Sequence, residues 1–412
     1  YLPLMYIIQS GLLAAASTLY AAFADRIPAE SFFKALLGIL VVLVGASWMV
    51  IANTGSTWVY PFYYLVYEVS SDLLLVHGAL YMNQNMNTMQ AKRLSPLVFA
   101  GAQVGTISGG LTLAVFAPLI GTQNLLLAWC LLLGLGIAIL YQHHRRHGIS
   151  KHFRPPSKGA HVVRDCIVDI NQGVRFTYSS ALLRAASFAM FFMVIAFYIL
   201  NYSVNRVYTQ TFTTEEALTS FFGALTAATS IIALLIQLFV TNRTIERFGV
   251  RKVNLIYPVT TVFSLLVLMV SFALPSALLG SFNKDTVMPA FRNPVRAMFF
   301  NVLPGYMQGR ARAMSVAIVL PLALLICGTL LWVMQRMEDP RYFLIPGAGA
   351  AMLYFFFNHR MNRAYVSTLL NTLKERLFLP DEQMYLELQG SSSGVLDEVL
   401  RGVRHEDNEV SV

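Results

Sequence analysis

Long apolar stretches recur along the whole chain, separated by short polar gaps, and this pattern constrains the fold more than any single motif. A helix needs about 20 mostly apolar residues to cross a bilayer. Stretches of that kind lie at about 1–23, 32–53, 59–82, 94–120, 125–142, 182–208, 218–240, 253–274, 279–303, 314–334 and 342–357. The sequence therefore predicts an all-α membrane protein with about eleven spans.

The composition excludes an ordinary soluble domain. Of the 412 residues, 56% are hydrophobic and only 12% are charged, which is too few to cover a soluble surface. A net charge of +9 also occurs in nucleic-acid-binding proteins, but here the Lys and Arg residues lie in short gaps between apolar stretches. We therefore expect contact with membrane lipids and no nucleic-acid partner.

The distribution of Lys and Arg over the gaps predicts the orientation in the membrane, because basic gaps stay in the cytoplasm. The basic gaps are 25–34, 92–93, 145–175, 243–252, 310–312 and the tail after residue 360. The gaps at 54–57, 121–124, 209–216 and 275–277 contain no Lys or Arg. Arg336 and Arg341 are an exception, offset by Glu338 and Asp339. The C-terminus is thus predicted to be cytoplasmic.

The long basic gap divides the chain into two halves. We expect an N-terminal helix bundle at 1–142 (spans 2–6), a basic cytoplasmic link at 143–178, a C-terminal bundle at 179–358 (spans 7–12) and a cytoplasmic amphipathic helix with a linker at 359–412. The chain opens inside an apolar stretch with no signal-like start, so one more helix before Tyr1 would complete two sets of six. The last short helix cannot bury its apolar side alone, and a further domain or partner after Val412 is expected.

Two short motifs recur about 220 positions apart. Asp25-Arg26 follows one apolar stretch as Glu246-Arg247 follows another, and the Gln-Ala-Lys-Arg turn at 90–93 matches 308–312. Parallel repeats of six helices are typical of major-facilitator transporters, whose binding site lies between the halves near the midplane. The motifs predict a cytoplasmic gate at Asp25, Arg26, Glu246 and Arg247, although solvated loops explain them equally well.

Charged residues inside one predicted span of the second half are the first candidate binding residues. An Arg or Lys at the bilayer centre costs at least about 2.5 kcal/mol and normally faces the bundle interior. On an α-helix, Asp285, Arg292 and Arg296 share one face, with Lys284 a quarter turn away. A structural ion-pair cluster is the alternative, but three cations against one anion favour an anionic substrate.

The first half supplies acidic residues. Glu68 and Asp72 are four residues apart and share a helix face, with His77 five residues further on. Two carboxylates this close favour proton sharing or cation binding, or else they pair with Arg292 or Arg296 of the other half. Since His77 corresponds to Arg296 at the repeat offset, we expect the acidic and basic helices to face each other across one cavity.

Other polar residues carry weaker signals. Asn201 and Asn205 either line this cavity or form hydrogen bonds within the core. Glycines at positions 101, 105 and 109 have the small-xxx-small spacing that lets helices pack closely. Cys130, Cys166 and Cys327 have no metal-type spacing, and the sequence contains neither a P-loop nor a catalytic constellation. We predict no enzyme activity, no catalytic residue, no cofactor and no metal.

The segment QAKRLSPLVFAGAQVGTISG at 90–109 resembles the corresponding segment of the ATP/ADP translocase-type nucleotide transporters of plastids and intracellular bacteria. Asn293 to Met298 resembles that family's Asp-Pro-x-Lys-Glu-Met, and 309–311 its Gly-Lys-Ala. Arg296 stands where the family has a functionally implicated Lys, and Ala297 replaces its Glu. The resemblance implies ATP/ADP exchange by an antiporter of the bacterial inner membrane, and some bacterial relatives carry a helical-repeat domain after the transporter.

Together these observations predict a major-facilitator-type bundle of two six-helix pseudo-repeats. Its function would be secondary transport of an anionic, phosphorylated and nucleotide-like solute, by rocking of the two halves. One alternative is a transporter or flippase of an amphipathic anion or lysolipid. The other is a membrane scaffold or sensor that does not transport and acts through its cytoplasmic appendage.

Overall fold

A computed structural model describes residues 2–24, 29–54, 58–85, 88–147, 180–301, 318–337 and 339–378. Within these ranges the chain forms 11 helices and no strand, if a helix that continues through a π-helical segment is counted once. The predicted all-α fold is therefore confirmed. Of the predicted link at 143–178, the first five residues are helical, and residues 148–178 lie outside the described residues, as does the tail after residue 378.

The helices of the first half are α1 (Leu2–Ala24), α2 (Ala29–Thr54), α3 (Val59–Asn85), α4 (Thr88–Ile120) and α5 (Leu125–His147). The second half contains α6 (Ala181–Thr211), α7 (Glu215–Ile236), α8 (Asn242–Val253), α9 (Ile256–Val270), α10 (Leu274–Phe282), α11 (Asn293–Asn301), α12 (Leu320–Met334) and α13 (Leu344–Phe378). π-Helical segments at Gln237–Thr241 and Asn283–Arg292 join α7 to α8 and α10 to α11, and a 3-10 turn at Pro340–Phe343 precedes α13.

Several of these helices are long and apolar enough to cross a membrane. By length and composition, five of the described helices qualify: Glu30–Thr54, Gly101–Ile120, Leu125–Gln142, Ala181–Thr211 and Glu215–Val253. Each overlaps a predicted span. Large apolar side chains such as Leu131 (75% exposed) and Val270 (80% exposed) point away from the protein. Lipid contact explains this exposure, because water would disfavour it.

Local sequence signals set the helix ends in the expected way. The side chains of Ser180 and Thr214 accept hydrogen bonds from the backbone N–H groups of Leu183 and Ala217, and so cap α6 and α7. Gly121 adopts a positive φ of 80° in the turn between α4 and α5, a conformation that glycine reaches without steric cost.

The two π-helical segments lie side by side and bond to each other across the helix pair. Gln237 Nε2 donates to the Pro289 carbonyl at 2.9 Å, and Thr241 Oγ1 donates to the Ala290 carbonyl at 2.9 Å. A proline and a change of helical pitch both interrupt the regular i to i−4 bonds, so carbonyls inside a membrane bundle need other donors. The side chains of one segment therefore complete the backbone of the other.

Among the described residues, close backbone contacts between the halves lie toward one end of the bundle. We call this end the neutral end, because the connections from α4 to α5, from α6 to α7 and from α9 to α10 lie there and contain no Lys or Arg. The opposite end is called the basic end. A methyl group on Gly110 of α4 would lie 2.8 Å from the carbonyl oxygen of Gly223 of α7, and one on Gly328 of α12 would lie 2.9 Å from the carbonyl oxygen of Pro3. Glycine is needed at these contacts because two backbones touch.

One expectation about helix packing needs correction, and two helices that were predicted separately are continuous. The glycines at 101, 105 and 109 have no other helix within 4 Å of an added methyl group, so they do not mediate the close packing that their spacing predicts; Gly110 does. The last predicted span and the amphipathic helix after it form one continuous helix, α13, which runs for 35 residues. No glycine or proline interrupts the chain between 350 and 378, so nothing ends the helix there.

Candidate functional site

The predicted acidic residues lie where the two halves meet. Glu68 and Asp72 are half-buried on α3 and close enough to interact. Gln9 of α1 is only 1% exposed, and its Nε2 donates a hydrogen bond to Glu68 Oε2 at 3.3 Å. The hydrogen bond thus connects the Glu68 carboxylate of α3 to α1 of the first half.

Three tyrosines surround these carboxylates. The ring of Tyr6 on α1 packs edge-on against Tyr198 of α6, with the centroids 4.9 Å apart, and lies 6.5 Å from the ring of Tyr64. Asn201 Nδ2 of α6 donates to the Tyr6 hydroxyl at 3.4 Å. Since α6 belongs to the second half, this contact joins the halves. We call the set the acid–tyrosine cluster: Tyr6, Gln9, Tyr64, Glu68, Asp72 and Tyr198.

The acid–tyrosine cluster has no cationic partner among the described residues. The ion pairs found among the described residues are Lys34–Glu30 at 3.0 Å and Lys284–Asp285 at 2.8 Å, and both lie outside the cluster. In this state neither Glu68 nor Asp72 pairs with Arg292 or Arg296, which was one of the sequence-based alternatives. Two acidic groups inside a membrane bundle therefore need protons or a bound cation.

His77 does not face the other half. It is fully buried, its Nδ1 lies 3.0 Å from the Tyr20 hydroxyl, and the rings of Phe32 and Phe33 are 5.0 and 5.3 Å away. The reason is helical geometry: five residues after Asp72, His77 is rotated by about 140° from it. The residue belongs to an aromatic pocket between α1, α2 and α3.

Arg292 and Arg296 line a pocket inside the second half, between α6, α11 and α13. Its polar walls are Asn254, Tyr354 and Asn358, and its apolar walls include Met190, Phe299 and Met361. Arg296 Nη2 lies 3.2 Å from the Met190 sulfur. The pocket has a cavity volume of about 40 Å³, counted as the space that the centre of a water molecule can occupy. We call this the arginine pocket; it has room for a few waters or a small anionic group.

An asparagine network, which the sequence analysis did not single out, closes one wall of the arginine pocket. Asn254 Nδ2 donates to Asn358 Oδ1 at 3.2 Å and to Asn362 Oδ1 at 2.8 Å. Asn358 Nδ2 donates back to the Asn254 carbonyl at 2.7 Å, and Asn362 Nδ2 to the Arg251 carbonyl at 2.8 Å. The four-residue spacing of Asn358 and Asn362 on an apolar helix was the available signal.

The other predicted site residues lie elsewhere. Lys284 Nζ contacts both carboxylate oxygens of Asp285, at 2.8 and 3.0 Å, in a local ion pair that does not line the arginine pocket. Asn205 is half-buried on α6, one turn beyond Asn201. The proposed gate is only partly described: Glu246 and Arg247 are exposed on α8, and Asp25 and Arg26 lie outside the described residues.

Solved structures of membrane transporters share the fold of this chain. The chain is similar to a POT family transporter in complex with a thioalcohol-conjugated peptide, with 13% identity, a TM-score of 0.61 and 86% of each chain covered. It is also similar to the nucleoside transporter NupG, with 12% identity, a TM-score of 0.58 and 89% of this chain and 90% of that chain covered. The chain is similar as well to the xylose transporter XylE from E. coli, with 14% identity, a TM-score of 0.55, and 86% of this chain and 83% of that chain covered.

The likeness establishes the fold, which is a major-facilitator-type helical bundle. No protein-family model matches the sequence, and no curated protein matches it. The resemblance to ATP/ADP translocase-type transporters therefore stays a prediction. Because the identity is only 12 to 14%, the solutes named for these transporters are properties of those proteins and are not assigned to this chain.

Proposed function

We propose that the chain is a secondary transporter that moves a small anionic solute by alternating access, with the arginine pocket holding the negative group. The observation that carries the proposal is the pair Arg292 and Arg296 in one pocket of a major-facilitator-type bundle. Their planar guanidinium groups suit phosphate, which accepts paired hydrogen bonds.

The contacts between the halves support alternating access. Near the neutral end, Ser220 Oγ of α7 donates to the Ala114 carbonyl of α4 at 2.7 Å, and Thr122 Oγ1 donates to Glu215 Oε2 at 3.5 Å. Together with the glycine contacts, they support the proposal that the halves meet at that end in this state. With the basic end in the cytoplasm, the solute would exchange with the cytoplasm in this state.

The resemblance to nucleotide transporters supports a phosphorylated solute and exchange by antiport in a bacterial inner membrane. In the present state the arginine pocket is too small for a whole nucleotide, so the pocket would hold one phosphate and the remaining solute would lie in the path between the halves. A lysolipid or another amphipathic anion is the second candidate, because Met, Ala and Phe side chains supply most of the pocket wall.

Arg296→Ala tests this proposal. In purified full-length protein, ATP, ADP or inorganic phosphate should raise the melting temperature of the wild type, and the variant should lose at least about 10-fold in apparent affinity, since a charged hydrogen bond contributes about 1.5–3 kcal/mol. Thermal unfolding over a concentration series measures this. Uptake of the stabilising solute into proteoliposomes should fall in parallel.

Arg363→Ala is the matched control, because Arg363 is an exposed arginine of α13 outside the arginine pocket. It should keep both protection and uptake. Equal protection of Arg296→Ala and the wild type would remove Arg296 from the anion site. Protection by lysophosphatidate but not by nucleotides or phosphate would favour the second candidate.

A further inference from the structure

One buried acceptor at the junction of the halves has no donor. Gln9 Oε1 is inaccessible to solvent and makes no hydrogen bond, although Nε2 of the same amide donates to Glu68. Buried polar atoms almost always have a partner, so an orphaned one calls for a ligand or a specific reason. Here the missing group is a hydrogen-bond donor.

The charge around this oxygen favours a donor that is also a cation. Glu68 accepts a hydrogen bond from the same amide, and Asp72 lies one helical turn from Glu68 on α3. Among the described residues no Lys or Arg forms an ion pair with either acid. Acidic groups within a membrane bundle usually mark the path of an ion or of a charged substrate. A cation placed there would satisfy Gln9 Oε1 and both carboxylates together.

The three tyrosines favour an organic cation over a metal ion. The ring centroid of Tyr6 lies 4.9 Å from that of Tyr198 and 6.5 Å from that of Tyr64. Faces of aromatic rings attract ammonium groups, whereas Ca²⁺ and Mg²⁺ need six or more oxygen ligands and Zn²⁺ needs about four His, Cys, Asp or Glu ligands. In the part of the chain that the structure describes, no group of three His, Cys, Asp or Glu side chains is arranged to hold a metal.

We propose that the acid–tyrosine cluster binds the ammonium group of a small organic amine, with N–H donors to Gln9 Oε1, Glu68 and Asp72. The site is distinct from the arginine pocket, since its walls come from α1, α3 and the middle of α6. This proposal rests on the proposed transport function only where it places the amine on the transport path. Binding of the amine does not depend on transport.

The probe is ethylamine, with ethanol as its uncharged counterpart, added to purified full-length protein in an amine-free potassium buffer. Ethylammonium should raise the melting temperature in a saturable way, and ethanol should not. Sodium chloride at the same concentration should have no such effect. Protection by ethanol, equal protection by sodium, or no protection by ethylamine would each overturn the assignment.

Variants connect the effect to the cluster. Glu68→Gln with Asp72→Asn removes both charges while keeping shape, and should abolish protection by ethylamine. Glu216→Gln, at an exposed acid of α7, is the control and should keep it. If the double variant does not fold, Gln9→Met removes the orphaned oxygen alone and should weaken apparent affinity at least about 5-fold. Full protection in a folded cluster variant would refute the site.

Phosphoethanolamine and ethyl phosphate distinguish an amine carried by the transported solute from a separate one. If one solute occupies both sites, phosphoethanolamine should protect at lower concentration than ethylamine or ethyl phosphate, and Arg296→Ala should weaken it. If the amine binds separately, Arg296→Ala should leave ethylamine protection unchanged. Failure of the anion proposal then appears in the ethyl phosphate arm, and failure of the ammonium proposal in the ethylamine arm.

Discussion

Asn254 connects the arginine pocket to the basic end of the second half. Its side chain is 6% exposed and donates to two asparagines of α13, and its own carbonyl accepts a bond from one of them. The side-chain amides of Asn358 and Asn362 both donate and accept, and Asn254 donates through its side chain and accepts through its backbone carbonyl, so every member depends on the others. The network fixes the short connection between α8 and α9 against α13, which carries Tyr354 of the pocket.

Asn254→Leu should therefore destabilise the protein strongly. The change leaves the side-chain oxygens of Asn358 and Asn362 buried without this donor, at a cost of about 1–3 kcal/mol for each group. Thermal and urea unfolding of purified protein measure the loss. Ser367→Ala is the control, because this exposed serine bonds only to its own helix, and it should unfold like the wild type. A folded Asn254→Leu protein of wild-type stability would contradict this account of the network.

At the same scale, the sequence places some candidate residues well and others poorly. The four-residue spacing of Glu68 and Asp72 predicts a shared helix face, and both residues lie half-buried on the helix α3. The same helical arithmetic turns His77 away from them, toward Tyr20. The partners Gln9, Tyr6 and Tyr198 lie on other helices, and no local pattern predicts which distant side chains meet.

The pair of π-helical segments is the element-scale feature that sequence periodicity misses. Hydropathy predicts the span near 279–303, but it assumes a uniform α-helical turn of 100° per residue. In the structure a π-helix runs over Asn283–Arg292 with Pro289 inside it, so the angle of 100° per residue that was used to compare Asp285 with Arg292 does not apply there. The change of pitch depends on donors from α7 and its continuation, which lie about 50 positions away in the chain.

Thr241→Val should weaken this helix pair. Thr241 is 2% exposed, and its hydroxyl donates to the Ala290 carbonyl of the other π-helical segment. Valine keeps the shape but leaves that carbonyl without this donor, so we expect a loss of about 1–3 kcal/mol in the free energy of unfolding.

Thr244→Val is the matched control for this change. Thr244 donates only to the Val240 carbonyl of its own helix, so its replacement should cost less than about 0.5 kcal/mol. Chemical unfolding of both variants gives the comparison. Equal stabilities would mean that the bond across the two π-helical segments contributes nothing.

Over the whole molecule, the halves hold together through helix pairs that cross the central plane. α4 packs on α7 and α1 packs on α12, and Tyr6 and Leu13 of α1 belong to the buried core of the second half. Hydropathy predicts the spans but not these pairings, because lipid-facing and interface-facing apolar residues have the same composition. Among the described residues, the backbone contacts made by Gly110, Gly223 and Gly328 fall toward the neutral end.

Gly223→Leu should prevent this closure. A side chain at Gly223 would meet the Ala114 backbone nitrogen at 2.5 Å and the Gly110 carbonyl at 2.6 Å, and neither backbone can yield without separating α4 from α7. We therefore expect the variant to fold but to favour separation of the halves at the neutral end. A cysteine at Ser220, in a cysteine-free background, should then react with a polar maleimide several-fold faster than in the parent, because its contact with Ala114 is lost.

Gly105→Leu provides the control, since an added side chain at this exposed position of α4 meets no other helix within 4 Å. Its labelling rate at position 220 should equal that of the parent. Transport of the stabilising solute should fall only in Gly223→Leu, because alternating access requires both states and this variant penalises one of them. Slow labelling of a folded Gly223→Leu protein would show that the halves tolerate the side chain, and that the α4–α7 contact does not control access from the neutral end.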